Sequence, residues 1–175
     1  MANNPALQLL MVATLKGFPF HWKMGAENIL LVSVGTGMSR WTEIPANVSH
    51  NNLLNWAKEI PDMLMQDASW HNQAILQWLS KCDTRWPIDG EIGDLKDDMV
   101  SFGSSGGGML TYLRYNFWLE ASGLNALMNK TYTQKQVDDL VEMSNADSRF
   151  ELYDIGSKDA AAKISDTHFP DTFKP

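Results

Sequence analysis

The segment that most constrains the fold is a short apolar run from Ile29 to Val34. The run is partly β-branched, contains one polar residue, Ser33, and stops at Gly35-Thr36-Gly37. A run of this length that is bounded by glycines is typical of a strand that is buried on both faces. We therefore predict a buried strand near residues 29–34, as part of an α/β sheet.

A helix is predicted directly before this strand. Asn4 is a residue type that caps helices, and Pro5 suits the first turn, where its missing N–H costs nothing. Apolar residues then recur at helical spacing until Gly17, so we predict a helix from about Pro5 to Lys16. The order helix, strand, glycine turn indicates an α/β sheet, but an incomplete one, because few candidate strands follow.

The rest of the chain has a mainly helical pattern. A polar cap at Thr133 with Gln136 three residues later forms a capping box, which marks the start of a helix. Apolar residues at helical spacing mark the others, and a proline within one of them favours a break or a kink. The predicted helices cover residues 49–81 (interrupted or kinked at Pro61), 133–143 and 155–164.

Two segments between these helices are predicted to be non-helical. The aromatic residues 112–119 favour a strand. The glycine- and serine-rich residues 101–108 favour a flexible loop. A length of 175 residues fits one domain and is short for two, so residues 1–175 are predicted to form a single domain.

Composition excludes several classes of partner and location. The formal net charge is -7 and no run of Lys and Arg exists, which argues against nucleic acid and against electrostatic docking on an anionic membrane. The single cysteine, Cys82, fits a reducing compartment and is most simply a buried structural residue. No secretory pattern is visible. We therefore expect a cytoplasmic protein. We also expect no cofactor and no metal, since no His or Cys pair has the spacing of zinc ligands.

Two motifs resemble those of bacterial patatin-like lipid acyl hydrolases (patatin-like phospholipases). Asn3-Asn4-Pro5 opens the predicted helix, and Ser33-Val34-Gly35-Thr36-Gly37 closes the predicted strand. In that family the first motif follows the aspartate of a Ser–Asp dyad by a few residues, and the second comes about one helix later. The resemblance spans nearly the whole chain, because further segments are similar to the end of the bacterial subfamily: 86–88, 91–95, 112–116 and 168–170.

The resemblance implies that this chain is the C-terminal portion of a patatin-like fold, with a partial sheet and a mainly helical C-terminal region. The family hydrolyses acyl esters of lipids with an activated serine and an oxyanion site. The nucleophile, the oxyanion loop and the catalytic aspartate would lie upstream of Met1, so the chain alone is expected to be inactive. A lipid or acyl-ester substrate would bind through the parent protein. The expected structural positions near the active site are Asn3, Asn4, Pro5, Gly35, Thr36 and Gly37.

A small serine esterase that uses Ser105 is a weaker alternative. Residues 103–107 match Gly-x-Ser-x-Gly, and Ser105, Asp154 and His168 follow the chain order of an α/β-hydrolase triad. A nucleophile elbow, however, requires a strand before the serine and a helix after it. Gly106 to Gly108 is a poor helix start, since each glycine costs about 1 kcal/mol relative to alanine.

A third hypothesis is a non-enzymatic helical module that binds a partner or a lipid surface. The aromatic segment 18–22 could contact a membrane peripherally, although packing of this loop on the domain is the simpler expectation. If strands are missing from the sheet, an exposed sheet edge would also favour a homo-oligomer.

Overall fold

The structure is a computed structural model that describes residues 4–39, 53–88, 92–103, 107–142 and 144–174. Within these ranges the chain is mixed α/β, as predicted, with five helices and a two-stranded parallel sheet. Short 3-10 turns lie at Ala146–Ser148, Asp166–His168 and Asp171–Phe173. The elements, in chain order, are α1 (Ala6–Thr14), β1 (Leu30–Val34), α2 (Leu53–Leu79), β2 (Thr111–Tyr115), α3 (Ala121–Met128), α4 (Gln134–Val141) and α5 (Arg149–Lys163).

Strand β2 is hydrogen-bonded along both of its edges. On the β1 side, the Thr111 N–H donates to the Ile29 carbonyl at 2.8 Å. On the other side, the Tyr112 N–H donates to the Lys81 carbonyl at 2.9 Å, in a parallel bridge just after α2. The side chains of residues 111–114 are all buried. The predicted aromatic strand, residues 112–119, is therefore confirmed only in its first half, because the strand is Thr111–Tyr115 and does not continue over 116–119. It is the better protected strand of the pair.

Strand β1 lies where it was predicted but is buried on one face only, which corrects the expectation of a strand buried on both faces. Leu31 and Ser33 are buried, whereas Val32 is 43% exposed and Val34 74% exposed. Successive side chains of a strand point to opposite faces, so a mostly apolar run does not by itself show that both faces are covered. The polar Ser33 takes the inner position because its hydroxyl accepts a hydrogen bond there from Arg114.

The start of α1 differs from the prediction. Pro5 occupies the N-cap position, and no side chain caps the helix. Asn4 has a left-handed backbone (φ 57°), and its carbonyl accepts a hydrogen bond from the side-chain amide of Asn72 at 3.0 Å. Asn4 is thus occupied in a contact with α2, and it does not cap α1. Asn3 lies outside the described residues.

The later helices match the predictions in part. Helix α2 is continuous across Pro61. The capping box at the start of α4 is confirmed, since the Thr133 N–H donates to the Gln136 side chain at 2.9 Å and the Gln136 N–H donates back to the Thr133 hydroxyl. Helix α5 begins six residues before the predicted position 155, and α3 was not predicted. The flexible loop at 101–108 stays a prediction, because residues 104–106 lie outside the described part.

Contacts between residues divide the chain into two units. The first unit is Met1–Ser33, Ile44–Arg114 and Thr167–Pro175, and the second is Val34–Glu43 and Tyr115–Asp166. The prediction of a single domain stays a prediction. The core of the first unit consists of Ala6, Leu10, Ile29, Leu31, Leu76, Cys82, Leu110 and Tyr112. The core of the second unit consists of Leu119, Leu124, Tyr132, Val137, Leu140 and Ile155.

Two adjacent leucines of α1 test this core. Leu10 is 4% exposed and Leu9 is 60% exposed. Leu10→Ala should lower the free energy of unfolding by about 3 kcal/mol, because it removes buried apolar surface and leaves a cavity. Leu9→Ala should change it by less than about 0.5 kcal/mol. Urea denaturation followed by circular dichroism measures both, and equal losses for the two variants would contradict the assigned orientation of α1.

Candidate functional site

The glycine turn that follows β1 is held by backbone hydrogen bonds within the second unit. The Gly35 N–H donates to the Tyr115 carbonyl at 2.8 Å, and the Met38 N–H donates to the Phe117 carbonyl at 2.9 Å. Between them, the Gly37 N–H donates to the side-chain oxygen of Asn116 at 3.0 Å. The Asn116 side chain therefore takes the place of a strand partner at the point where the chain turns.

Position 37 requires glycine for two reasons. Its φ is +92°, which side chains on L-residues rarely allow. A Cβ at this position would also lie 2.8 Å from Leu119 Cδ1, well inside van der Waals contact. The close packing of Leu119 on the turn thus depends on the missing side chain.

The turn forms one wall of a cavity of about 480 Å³ within the second unit. The other walls are the residues that follow β2 and one face of α5. This volume lies in the range of small-ligand pockets, which are mostly apolar with a few polar groups. The lining residues are Val34, Gly35, Thr36, Gly37, Tyr115, Asn116, Phe117, Leu119, Arg149, Leu152, Tyr153, Ile155, Gly156, Asp159, Ala160, Lys163 and Ile164.

Three polar residues of this lining, Asn116, Asp159 and Lys163, are linked to one another. Lys163 Nζ lies 2.7 Å from Asp159 Oδ1 and donates to the Asn116 carbonyl at 3.1 Å. The same ammonium lies 5.1 Å from the centroid of the Phe117 ring. These contacts attach the end of α5 to the segment after β2. No serine, cysteine or histidine is among the described lining residues, so this part of the lining can bind a ligand but offers none of the usual nucleophiles.

The structure brings together only part of the residues predicted from the sequence. Gly35, Thr36 and Gly37 all line the cavity. Asn4 and Pro5 lie in the first unit, at the start of α1. Ser105 lies outside the described residues. The other two members of the alternative triad are an exposed residue of α5, Asp154, and a residue of a 3-10 turn, His168.

Sequence reasoning missed the contribution of α5 and of Asn116. One local signal was available, since Asp159 and Lys163 are four residues apart and can form an ion pair on a helix. Asn116 gave no such signal, because its partner Gly37 is 79 residues away in the chain.

A second polar cluster lies in the first unit, around Arg114. The guanidinium Nη1 donates to the Ser33 hydroxyl at 2.8 Å, and the backbone N–H donates to the Thr84 hydroxyl at 2.8 Å. Burial lowers the pKa of Arg114 and raises the pKa of Tyr112 beside it. Burial also raises the pKa of the Cys82 thiol to about 11, so this thiol stays protonated at neutral pH, as a structural cysteine does.

The aromatic loop after α1 is exposed, which corrects the expectation that it packs on the domain. Phe18, Phe20 and Trp22 are 41%, 57% and 56% exposed. The rings of Phe20 and Trp22 contact each other edge to face, with centroids 6.4 Å apart. No helix in the described part of the chain is long and apolar enough to cross a bilayer.

Comparison of the chain with family models, with curated proteins and with solved structures finds no match. Its function must therefore be inferred from its own residues and contacts. Among the described residues, no group of three His, Cys, Asp or Glu side chains is placed to hold a metal ion.

The turn at Gly37 can be tested by substitution. Gly37→Ala should lower the free energy of unfolding by about 2 kcal/mol, because alanine is strained at a positive φ and its methyl group would displace Leu119. Gly17→Ala is the control, since no atom lies within 4 Å of a Cβ at that position, and it should change stability by less than about 0.5 kcal/mol. Chemical denaturation measures both, and a neutral Gly37→Ala would show that the turn relaxes freely.

Proposed function

We propose that this chain is the C-terminal part of a patatin-like lipid acyl hydrolase, which lines the substrate cavity and leaves the catalytic dyad to the preceding part of the protein. The observation that carries this proposal is the uncovered valine face of β1. The order of α1, β1 and the Gly35–Gly37 turn supports it as well, because it follows the order of the two family-like motifs.

The exposed face of β1 argues for a missing layer. Parallel sheets occur almost only with both faces covered, yet Val32 and Val34 point away from the core. In the described part of the chain β1 is also an edge strand, because its one neighbour in the sheet is β2. An apolar edge strand of this kind invites pairing with another chain. In the proposal, strands of the parent protein cover it, and the isolated chain would associate with copies of itself there.

The cavity beside the glycine turn has a composition suited to an acyl group. Apolar side chains and backbone form most of its lining, which also includes the linked polar residues Asn116, Asp159 and Lys163. In the proposal, the apolar part receives the hydrocarbon of an acyl ester. Among the described lining residues there is no serine, cysteine or histidine, and in the proposal the nucleophile comes from the preceding part of the protein.

The upstream coding sequence provides the direct test. Read in frame before the Met1 codon, it should encode an Asp-Gly-Gly or Asp-Gly-Ala turn within a few codons and a Gly-x-Ser-x-Gly elbow farther upstream. A protein that includes this region should hydrolyse p-nitrophenyl butyrate, whereas the chain of 175 residues alone should not exceed the buffer rate.

Ser105→Ala serves as the control for this experiment. It should leave the activity of the longer protein unchanged, and substitution of the elbow serine should abolish it. An in-frame stop codon directly upstream of Met1 would contradict the proposal. Hydrolysis by the chain alone that Ser105→Ala abolishes would favour the small serine esterase instead.

A second candidate function, contact with a lipid surface, is favoured by the exposed aromatic loop. Aromatic side chains of this size enter the interface between lipid head groups and acyl chains. The net charge of -7 makes attraction to anionic lipid unfavourable, so the contact would depend on apolar insertion and would occur on zwitterionic vesicles.

Co-sedimentation with phosphatidylcholine vesicles tests this contact. The double variant Phe20→Ser, Trp22→Ser should lose most of the bound fraction, because it removes the two most exposed apolar side chains of the loop. Phe150→Ser is the matched control, since Phe150 is 69% exposed on α5, and it should bind as the parent chain does. Equal sedimentation of all three proteins, or none by the parent chain, would exclude the loop as a lipid contact.

A further inference from the structure

Arg114 is a buried cation without an acidic partner among the described residues. Its side chain is 7% exposed. The guanidinium makes one hydrogen bond, from Nη1 to the Ser33 hydroxyl at 2.8 Å. Its Nε is buried and has no acceptor within the part of the chain that the structure describes.

The neighbouring groups do not supply the missing negative charge. Arginine keeps its proton in proteins, so the guanidinium remains charged in the core. Tyr112 stands beside it and Cys82 lies near Tyr112, but burial raises the pKa of both groups, so they are neutral at physiological pH. The Ser33 hydroxyl is a neutral acceptor. A buried charge is costly unless it is paired and fully hydrogen-bonded, so the cluster is short of one anion within the part of the chain that the structure describes.

The cluster lies in a part of the sheet where α/β proteins commonly bind ligands. Ser33 and Arg114 are each the fourth of five residues in their strands, so both lie near the carboxyl ends of a parallel pair. In open α/β sheets, ligands bind in the crevice outside the carboxyl ends of the strands. The planar fork of a guanidinium matches the two oxygens of a carboxylate or a phosphate.

We propose that Arg114, oriented by Ser33, is the binding group for a small oxyanion, the phosphate or carboxylate group of a ligand, on the part of β1 and β2 that belongs to the first unit. Nε and the outer edge of the guanidinium donate to the anion, while Nη1 stays on the serine. The site lies within the first unit, and it does not depend on the proposed hydrolase function.

Thermal unfolding of the full chain tests the site. Melting temperatures are measured in potassium chloride, in potassium phosphate and in potassium acetate at matched ionic strength and pH. At a concentration about fivefold above the dissociation constant, the bound anion should raise the melting temperature by about 2–4 °C. Whichever anion raises it identifies the ligand group as a phosphate or a carboxylate.

Two variants that each remove a cation separate specific binding from a general salt effect. Arg114→Met removes the charge and keeps the bulk, and it should abolish the rise. Lys158→Met is the control, because Lys158 is an exposed cation on α5 that is not among the lining residues of the cavity, and it should respond as the parent chain does. If neither anion stabilises the parent chain, or if Arg114→Met responds equally, the proposal is wrong.

A serine variant covers the case in which Arg114→Met does not fold. Ser33→Ala removes the hydroxyl that orients Nη1, and it should weaken anion binding about tenfold, the equivalent of one hydrogen bond to a charged group. Unchanged affinity in a folded Ser33→Ala would overturn the assigned geometry. Loss of stability of Arg114→Met in chloride, without any anion response of the parent chain, would overturn the proposal, because Arg114 would then act only through its contacts within the chain.

Discussion

The two-sided hydrogen bonding of β2 is the constraint on which the rest of the structure depends. With donors engaged toward both Ile29 and Lys81, this strand has no free edge at its centre, and its side chains are buried from Thr111 to Arg114. Every polar group on it must then find a partner inside the protein. The Arg114 to Ser33 hydrogen bond follows directly, because a cationic side chain that is only 7% exposed makes most of its contacts inside the protein.

That requirement explains the inverted pattern of β1. A strand that accepts a hydrogen bond from a buried arginine needs a polar residue on its inner face, and Ser33 supplies it. The valines then occupy the outer face, where in the described part of the chain nothing covers them. The alternation of side chains along β1 thus accounts for both features. Ser33 contacts the buried arginine on the inner face, and the two valines remain exposed on the outer face.

Local sequence signals predicted the elements better than the contacts between them. The capping box at Thr133, the strand at 30–34 and the helix before it depend on interactions within a few residues, and each was found. Contacts that join distant residues were not predictable. The partner of Ser33 is 81 residues away, and Asn4 is engaged by a residue 68 positions later. For Asn4 this distant contact decided against the cap that its residue type favours.

The alternation in β1 also means that buried and exposed positions, which tolerate different side chains, follow each other within five residues. Leu31 and Ser33 are bound by packing and hydrogen bonding inside the protein, whereas Val32 and Val34 touch little of it. Val32, which is not among the lining residues of the cavity, can therefore be replaced with a polar side chain to improve the solubility of the isolated chain, independently of folding. Hydropathy alone would suggest the opposite change, replacement of the polar Ser33 by an apolar residue. That change would remove the hydroxyl that accepts the hydrogen bond from the buried Arg114.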